Sequence, residues 1–174
     1  HVYYVQNHTQ KQIIQSAVEE KTIDEIGFIC QFNGYRALRP GGQWKASGRQ
    51  PAIPANAEQC RFSCQDPTPS LSLLVRKPLI QVELRHFAWL AFYNAAPIDP
   101  NGHFLWIPKP LGDPPGTLHH FPQYLTQELL EDALVLFQTF HQTIFFFNSL
   151  HAGASVNHIH FQALYHGSML AAEK

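Results

Sequence analysis

Three side chains in the segment "NHIHFQ" have the types and the spacing to act together in chemistry. His158, His160 and Gln162 alternate with the apolar residues Ile159 and Phe161. Successive side chains of a β-strand point to opposite faces, so a strand here would put the two histidines and the glutamine on one face. That polar face is predicted to contact a ligand or water, while the apolar residues pack on the core.

The spacing of the two histidines leaves three interpretations open. The imidazoles can simply be solvated on a polar sheet face. Two imidazoles that lie two positions apart on a strand can instead share one Zn²⁺. In the third interpretation a neutral imidazole attacks phosphorus, which requires that a carbonyl holds its other nitrogen and so fixes the tautomer.

The residues before the histidines suit a phosphate ligand. The segment "HAGAS" contains Gly153 and Ser155, so its backbone N–H groups can approach an anion closely and the serine hydroxyl adds a donor. Asn148, at the end of "FFFN", adds a side-chain amide. An anion-binding turn is therefore predicted next to the two histidines.

The clearest helix is predicted over 126–142. Thr126 can cap it, Asp132 and other acids favour its amino-terminal end, and apolar residues recur every three to four positions. The predicted apolar face consists of Leu129, Leu130, Ala133, Leu134, Phe137 and Phe140. Ile159 and Phe161 are predicted to pack against that face.

The remaining elements predict an α+β fold whose sheet is antiparallel. A second helix is predicted over 9–26, and the "NG" signal within 27–38 predicts a strand, a turn and a second strand. Residues 39–59, rich in Gly and Pro, predict a mobile loop. Strands dense in Val, Ile, Leu and aromatic residues are predicted over 71–75, 79–93 and 102–110.

The composition limits the class of protein. The 174 residues suit one domain, and 12 basic and 13 acidic residues without a basic cluster exclude general binding to nucleic-acid polymers, since such binding depends on neutralising phosphates. No apolar run reaches the ~18 residues that a membrane span needs, so a cytoplasmic protein is expected. The three cysteines, Cys30, Cys60 and Cys64, fit reduced thiols rather than a disulfide framework.

The stretch "NSLHAGASVNHIHFQ" resembles the active-site signature of the histidine-triad (HIT) superfamily. It is most similar to the transferase branch, in which a glutamine replaces the third histidine; that branch includes galactose-1-phosphate uridylyltransferase, diadenosine-tetraphosphate phosphorylase (ATP adenylyltransferase) and the GDP-hexose phosphorylases. "FYNAAPIDPNGHFLWIPK" and "HHFPQYLTQELLEDALVLFQTF" are similar to that family's strand–connector–strand and to the entry of its long helix. The likeness is close over 92–166 and loose over 28–70.

The resemblance implies one HIT-like domain over 1–174, in which an antiparallel half-barrel sheet carries a long helix. Within it, 92–166 would form the catalytic core and 28–91 an amino-terminal part. His160 would attack the α-phosphorus and form a nucleotidyl-histidine, while the backbone carbonyl of His158 holds its ring. Gln162 would bind the phosphoryl oxygens. The phosphates would be held by Asn148, Gly153 and Ser155.

The resemblance also implies the partners, a nucleotide sugar or dinucleoside polyphosphate and a phosphate-type acceptor. An amide cannot protonate a leaving group, so Gln162 favours leaving groups that depart as stable anions and a transferase or phosphorylase rather than a hydrolase. A homodimer is one of the oligomeric states that the sequence allows. A non-catalytic or degenerate nucleotide-binding domain is the alternative function, and a zinc-stabilised structural module is a third.

Zinc is the one cofactor that the sequence suggests, without a firm ligand set. Zinc-binding members of the branch use a Cys-X-X-Cys pair with histidines, whereas Cys60 and Cys64 are separated by three residues. His119, His120 and His158 are the candidates for the further ligands. Asn157 stands where the transferases usually have proline or aspartate, which is a second departure from the pattern.

Overall fold

A computed structural model gives the fold over residues 18–23, 28–33, 60, 62, 64, 78–94, 97–99, 102–114, 117–150 and 152–165. Within these residues the structure contains a five-stranded antiparallel sheet, a separate two-stranded sheet and one α-helix. The predicted α+β class is therefore confirmed. No helix among the described residues combines the length and the apolarity that a membrane crossing requires.

The two-stranded sheet consists of β1 (Val18–Ile23) and β2 (Phe28–Asn33). The large sheet consists of β3 (Ile80–Glu83), β4 (Phe87–Tyr93), β5 (His103–Pro110), β6 (Thr143–Phe146) and β7 (Phe161–Tyr165), and helix α1 spans Gln127–Thr139. Its strand order is β3-β4-β5-β7-β6, with every neighbouring pair antiparallel. The predicted strand at 102–110 is confirmed as β5.

Strand register sets which side chains share a face of the large sheet. Phe92 of β4 lies opposite Leu105 of β5, which lies opposite Gln162 of β7. Directly opposed residues of antiparallel strands point to the same side, so these three side chains form one row. His103 precedes Leu105 by two positions and therefore points to the same side.

Helix α1 begins at the predicted cap, and its buried face is shifted from the predicted one: Leu129, Ala133, Phe137 and Phe140 pack on the core as predicted. The hydroxyl of Thr126 accepts a hydrogen bond from the N–H of Leu129 at 3.4 Å. Leu130 and Leu134 are 42% and 50% exposed, so their predicted packing against the sheet is wrong. The buried positions of the helix are Leu129, Asp132, Ala133 and Leu136.

The carboxylate of Asp132 explains why the buried face of α1 is shifted from the predicted one. The carboxylate of Asp132, 1% exposed, accepts hydrogen bonds from the backbone N–H groups of His86 and Phe87 and from the indole N–H of Trp89. These donors belong to the β3–β4 turn and to β4. Asp132 therefore turns toward the sheet to satisfy buried donors, whereas the sequence predicted that it would only favour the helix amino terminus.

The core between α1 and the sheet contains the apolar residues of the His-X-His segment. Ile159 and Phe161 are buried there, as predicted, and the Phe161 ring centre lies 5.6 Å from that of Trp89 and 6.0 Å from that of Phe137. The buried members of this cluster are Trp89, Ala91, Trp106, Leu129, Ala133, Leu136, Ile159, Phe161 and Ala163.

A second apolar cluster covers the opposite face of the sheet, the face to which the two histidines were predicted to point. Part of the covering comes from the segment that carries Cys60 and Cys64, here called the cysteine segment. Its Phe62 packs against the cluster. Its buried members are Cys60, Cys64, Leu90, Phe92, Ile107, Leu118 and Val156. The face beside the histidines is thus a second core rather than an open polar surface.

The predicted helix over 9–26 is wrong where the structure describes it, because Val18–Ile23 is strand β1. Val18, Thr22 and Ile23 are β-branched, and full pairing with β2 outweighs the weak helical pattern. The other residues of that prediction lie outside the described part of the chain.

One strand prediction needs correction as well. Residues 79–93 form two strands joined by a turn at 84–86, not one strand, because the buried Asp132 holds that turn and no Gly or Pro marks it. Strand β2 pairs with β1. The predicted turn at Asn33-Gly34, the loop at 39–59 and the strand at 71–75 lie wholly or partly outside the described residues.

Candidate active site beside a cysteine–histidine cluster

The ring of His160 is held in one orientation by the backbone. Its Nδ1 lies 2.8 Å from the carbonyl oxygen of His158, and the residue is 6% exposed. Burial lowers the pKa of His160, and the hydrogen bond to His158 opposes that shift. A neutral imidazole with its proton on Nδ1 carries its lone pair on Nε2, the atom that a nucleophilic histidine uses.

The two histidines precede the strand that was predicted to contain them. Strand β7 begins at Phe161, and the N–H of Ile159 donates to the carbonyl of Phe121 at 2.8 Å instead of to a sheet strand. The alternation of faces nevertheless continues through the segment. Ile159 joins the helix-side core, while the rings of His158 and His160 both lie near Phe62 on the other side.

Gln123 is a site residue that no sequence pattern identified. Its side-chain Oε1 accepts from the N–H of His160 at 3.0 Å, and its Nε2 donates to the carbonyl of Asn148 at 2.8 Å. The residue lies in an irregular stretch after Pro122, where neither helical nor strand periodicity applies. Only the folded chain brings it to His160.

His103 orients the amide of Gln162. The Nε2 of His103 lies 2.9 Å from the Oε1 of Gln162, and its Nδ1 accepts from the N–H of Ile98 at 2.9 Å. The second contact makes Nδ1 an acceptor, so the proton is on Nε2 and is donated to Gln162. Because Oε1 is the acceptor in this bond, the NH₂ group of Gln162 remains to donate elsewhere.

The small-residue turn lies between β6 and the His-X-His segment. Gly153 has a φ of +99°, a conformation that favours glycine, and a Cβ there would lie 3.5 Å from the Cγ of Asn148. Ser155 is exposed. The N–H groups of Ala152 and Ala154 both donate to the carbonyl of Ser149, so this turn would have to bind an anion with its other groups.

Two cysteines and two histidines form one compact cluster. The Sγ of Cys60 lies 3.4 Å from the Nδ1 of His158, and the Sγ of Cys64 lies 3.6 Å from the Nδ1 of His120. One ligand atom from each of the four residues lies within 4.8 Å of all the others. This is a Cys₂His₂ set of the composition that binds zinc in structural sites.

Burial shifts the pKa of three of the four cluster residues toward their neutral forms. Burial and the neighbouring Cys60 raise the pKa of the Cys64 thiol to about 12. Burial lowers the pKa of His120, and burial with the nearby His120 and His160 lowers that of His158 to about 3. The thiol of Cys64 is then protonated and both imidazoles are neutral near pH 7.

The predicted zinc ligand His119 lies outside the cluster. Its Nε2 lies 2.6 Å from the Oδ2 of Asp113. The ammonium group of Lys109, in β5, donates to the carbonyls of Asp113 and Pro114, at 2.8 and 3.1 Å. Of the three candidate histidines, the structure joins His120 and His158 to the cysteines and pairs His119 with a carboxylate.

The site therefore combines two chemistries that share His158. An oriented imidazole suits attack on an electrophile, and a buried thiol–imidazole set suits a soft divalent metal.

Searches against family models, curated proteins and solved structures returned no match to the chain.

Proposed function

We propose that this protein is a HIT-like nucleotidyltransferase or phosphorylase that acts through a covalent nucleotidyl-His160. The contact between Nδ1 of His160 and the carbonyl of His158 is the observation that carries the proposal. A solvated histidine on a sheet face needs no such restraint and would not be buried. The proposal also draws on the likeness of "NSLHAGASVNHIHFQ" to the HIT transferase signature.

The reaction proceeds in two displacements at one phosphorus atom. Nε2 of His160 attacks the α-phosphorus of a nucleotide sugar or dinucleoside polyphosphate, so a P–N bond forms and the P–O bond to the sugar phosphate or nucleotide breaks. The leaving group departs with the electron pair as a stable anion. An oxygen of a phosphate-type acceptor then attacks phosphorus, the P–N bond breaks, and Nε2 regains its lone pair.

The protein supplies charge stabilisation during these steps. His160 becomes positively charged when the P–N bond forms, and the carbonyl of His158 stabilises that charge through the Nδ1–H. The NH₂ group of Gln162, oriented by His103, donates to the phosphoryl oxygens. Asn148, Gly153 and Ser155 contact the remaining phosphate. No side chain in this set needs to protonate the leaving group.

We also propose that the Cys₂His₂ cluster binds zinc. With Zn–S bonds of about 2.3 Å and Zn–N bonds of about 2.0–2.1 Å, tetrahedral geometry puts sulfur and nitrogen about 3.6 Å apart. The two sulfur–nitrogen distances of 3.4 and 3.6 Å fit that value. In each of the two histidines Nδ1 is the ring nitrogen that faces a cysteine sulfur, so each imidazole would ligate through Nδ1.

Zinc would have a structural role here. Four protein ligands close the coordination sphere, whereas catalytic zinc keeps a position open for water or substrate. The ligands come from the cysteine segment, from the stretch before α1 and from the His-X-His segment. Binding would tie these three parts of the chain together and hold the His158 backbone that supports His160.

The covalent intermediate can be trapped directly. The protein is incubated with nucleoside triphosphates, dinucleoside polyphosphates and nucleotide sugars labelled at the α-phosphorus, then denatured in alkali. We expect a label that survives alkali and is released by acid, as a phosphoramidate is. His160→Ala should remove it, while His141→Ala, at an exposed histidine, should retain it. Label retained by folded His160→Ala, or no label from any substrate, would contradict the proposal.

A zinc-stabilised module without turnover is the second candidate, and the cluster itself favours it. The cluster would stabilise the fold whether or not His160 reacts. Stoichiometric zinc in a protein that binds no nucleotide would support this candidate. Nucleotide binding without a covalent adduct would instead support the non-catalytic nucleotide-binding domain.

A further inference from the structure

His160 lies where regular sheet pairing has not yet begun. Strand β7 starts one residue later, at Phe161. At His160 a side chain takes the place of a neighbouring strand: Oε1 of Gln123 accepts from the N–H of His160 at 3.0 Å, and Nε2 of Gln123 lies 3.4 Å from its carbonyl oxygen. One amide group thus copies the paired acceptor and donor that a strand would offer.

The same residue reaches two further segments. Nε2 of Gln123 donates to the carbonyl of Asn148 at 2.8 Å, and its backbone N–H donates to Oδ1 of Asn157 at 2.9 Å. Gln123 is 3% exposed, so water cannot easily substitute for these bonds. The segment after β6, the bend before the histidines and His160 itself are therefore joined through one buried residue, by its side chain and its backbone N–H.

We propose that Gln123 is a positioning residue that fixes the backbone of His160 for nucleophilic attack and keeps it in register with Asn148. The ring of His160 has one anchor, the His158 carbonyl at Nδ1, and Gln123 supplies the second at the backbone. With both anchors the direction of Nε2 is determined; with the ring anchor alone, the backbone that carries the ring can shift. This role in attack rests on the proposed function, whereas the positioning of the ring does not.

The size of the effect follows from the geometry of attack. A displacement of about 1 Å between reacting atoms can cost about 100-fold in rate. Loss of the Gln123 amide should therefore slow formation of the nucleotidyl-histidine by about 10- to 100-fold at saturating substrate. It should also change the environment of the His160 ring whether or not a nucleotide is present.

Gln123→Met tests the proposal because methionine keeps the length of the side chain and removes both the donor and the acceptor. Gln138→Met, on the exposed face of α1, is the matched control. Two quantities are measured in each protein: the single-turnover rate of adduct formation, and the Nδ1–H resonance of the His160 ring, assigned by its loss in His160→Ala. We expect a slower rate and a shifted or broadened resonance in Gln123→Met alone.

A folded Gln123→Met protein with the parent rate and the parent resonance would overturn the proposal. If this variant does not fold, Gln123→Glu replaces it. Glutamate keeps the acceptor for the N–H of His160 but turns a second oxygen toward the carbonyls of Asn148 and His160. Parent values of both the rate and the resonance in Gln123→Glu would also overturn the proposal. If the parent forms no adduct, the proposed function fails, and the resonance by itself still decides whether Gln123 positions His160.

Discussion

At the scale of single residues, His158 serves two neighbours with different atoms. Its imidazole belongs to the Cys₂His₂ cluster, 3.4 Å from Cys60, and its carbonyl holds the ring of His160 at 2.8 Å. The first contact depends on the side chain and the second on the backbone alone. A substitution at His158 therefore changes the cluster while leaving the carbonyl available.

Changing Gln162 to His should increase hydrolysis relative to transfer. The new imidazole can accept the proton of His103 Nε2 at one nitrogen and carry a proton toward the leaving oxygen at the other. With an ordinary pKa near ~6.5, it would protonate leaving groups that an amide cannot. The ratio of hydrolysis to transfer products, measured at equal substrate for parent and variant, should rise.

Gln138→His, which adds an imidazole at an exposed position, controls for a general effect of the substitution. An unchanged product ratio in a folded Gln162→His protein that still forms the adduct would mean that Gln162 does not set the type of reaction.

The sequence predicts residues that act through local spacing and misses those that act through contact. Alternation of faces predicted that His160 and Phe161 point to opposite sides, because two-residue periodicity is local. Gln123 contacts His160, which lies 37 positions further along the chain, and His103 contacts Gln162, which lies 59 positions further along. No pattern within one segment contains that information.

At the scale of elements, helix α1 and the β3–β4 hairpin depend on each other. Asp132 of the helix accepts hydrogen bonds from the N–H groups of the hairpin turn, which has no glycine or proline of its own. The sequence predicted the helix and its cap because those signals are local. It failed to predict the hairpin because the residue that stabilises the turn lies on another element.

Asp132→Ala should destabilise the protein by about 3 kcal/mol or more, because several N–H donors would lose a buried acceptor. Chemical denaturation measures the free energy of unfolding. Glu131→Ala, at the adjacent acid whose partners are His86 and Arg85 near the surface, should leave it nearly unchanged. Equal stability of the Asp132→Ala variant and the parent would show that the carboxylate does not hold the turn.

Phe161→Ala should cost about 3–5 kcal/mol in the same measurement, as truncation of a core aromatic does. The ring lies between Trp89, Phe137 and Phe147, with centre-to-centre distances of 5.6, 6.0 and 5.5 Å. Leu134→Ala removes apolar atoms from the exposed side of α1 and should cost much less. A small loss for Phe161→Ala would mean that the neighbouring rings close the cavity.

At the scale of the whole described structure, the large sheet separates two apolar layers of different origin. One layer is built by α1, and the other includes the segment that carries Cys60 and Cys64. The first could be predicted because helical periodicity reveals an apolar face. The second could not, since the alternating polar residues His158, His160 and Gln162 implied that this face would contact ligand or water.

Removal of zinc should therefore destabilise the second layer. If zinc is present at 100 times its dissociation constant, its loss costs about 2.7 kcal/mol, which lowers the Tm of a chain of this length by roughly 5–10 °C. Scanning calorimetry with chelator and after zinc is restored measures this change. The Tm of His120→Ala should not respond to zinc, whereas that of His119→Ala should respond as the parent does.

A Tm that does not depend on zinc in the parent would contradict the metal site. Metal analysis of the purified protein gives an independent check, with about one equivalent of zinc expected in the parent and much less in His120→Ala. His119 and His120 were equivalent candidates in the sequence, and the structure separates them because His120 contacts Cys64 whereas His119 pairs with Asp113.

The two uses of His158 also bear on how such a protein evolves. Under the proposed function and the proposed zinc site, selection for a stable fold would retain the His158 imidazole, whereas selection for catalysis would retain His160. The two pressures would act on positions two residues apart and could be relaxed separately. A descendant that lost the proposed reaction could replace His160 by residues that fit its buried position and still conserve Cys60, Cys64, His120 and His158, so this pattern of substitution across orthologues would mark lineages that kept the scaffold and lost the reaction.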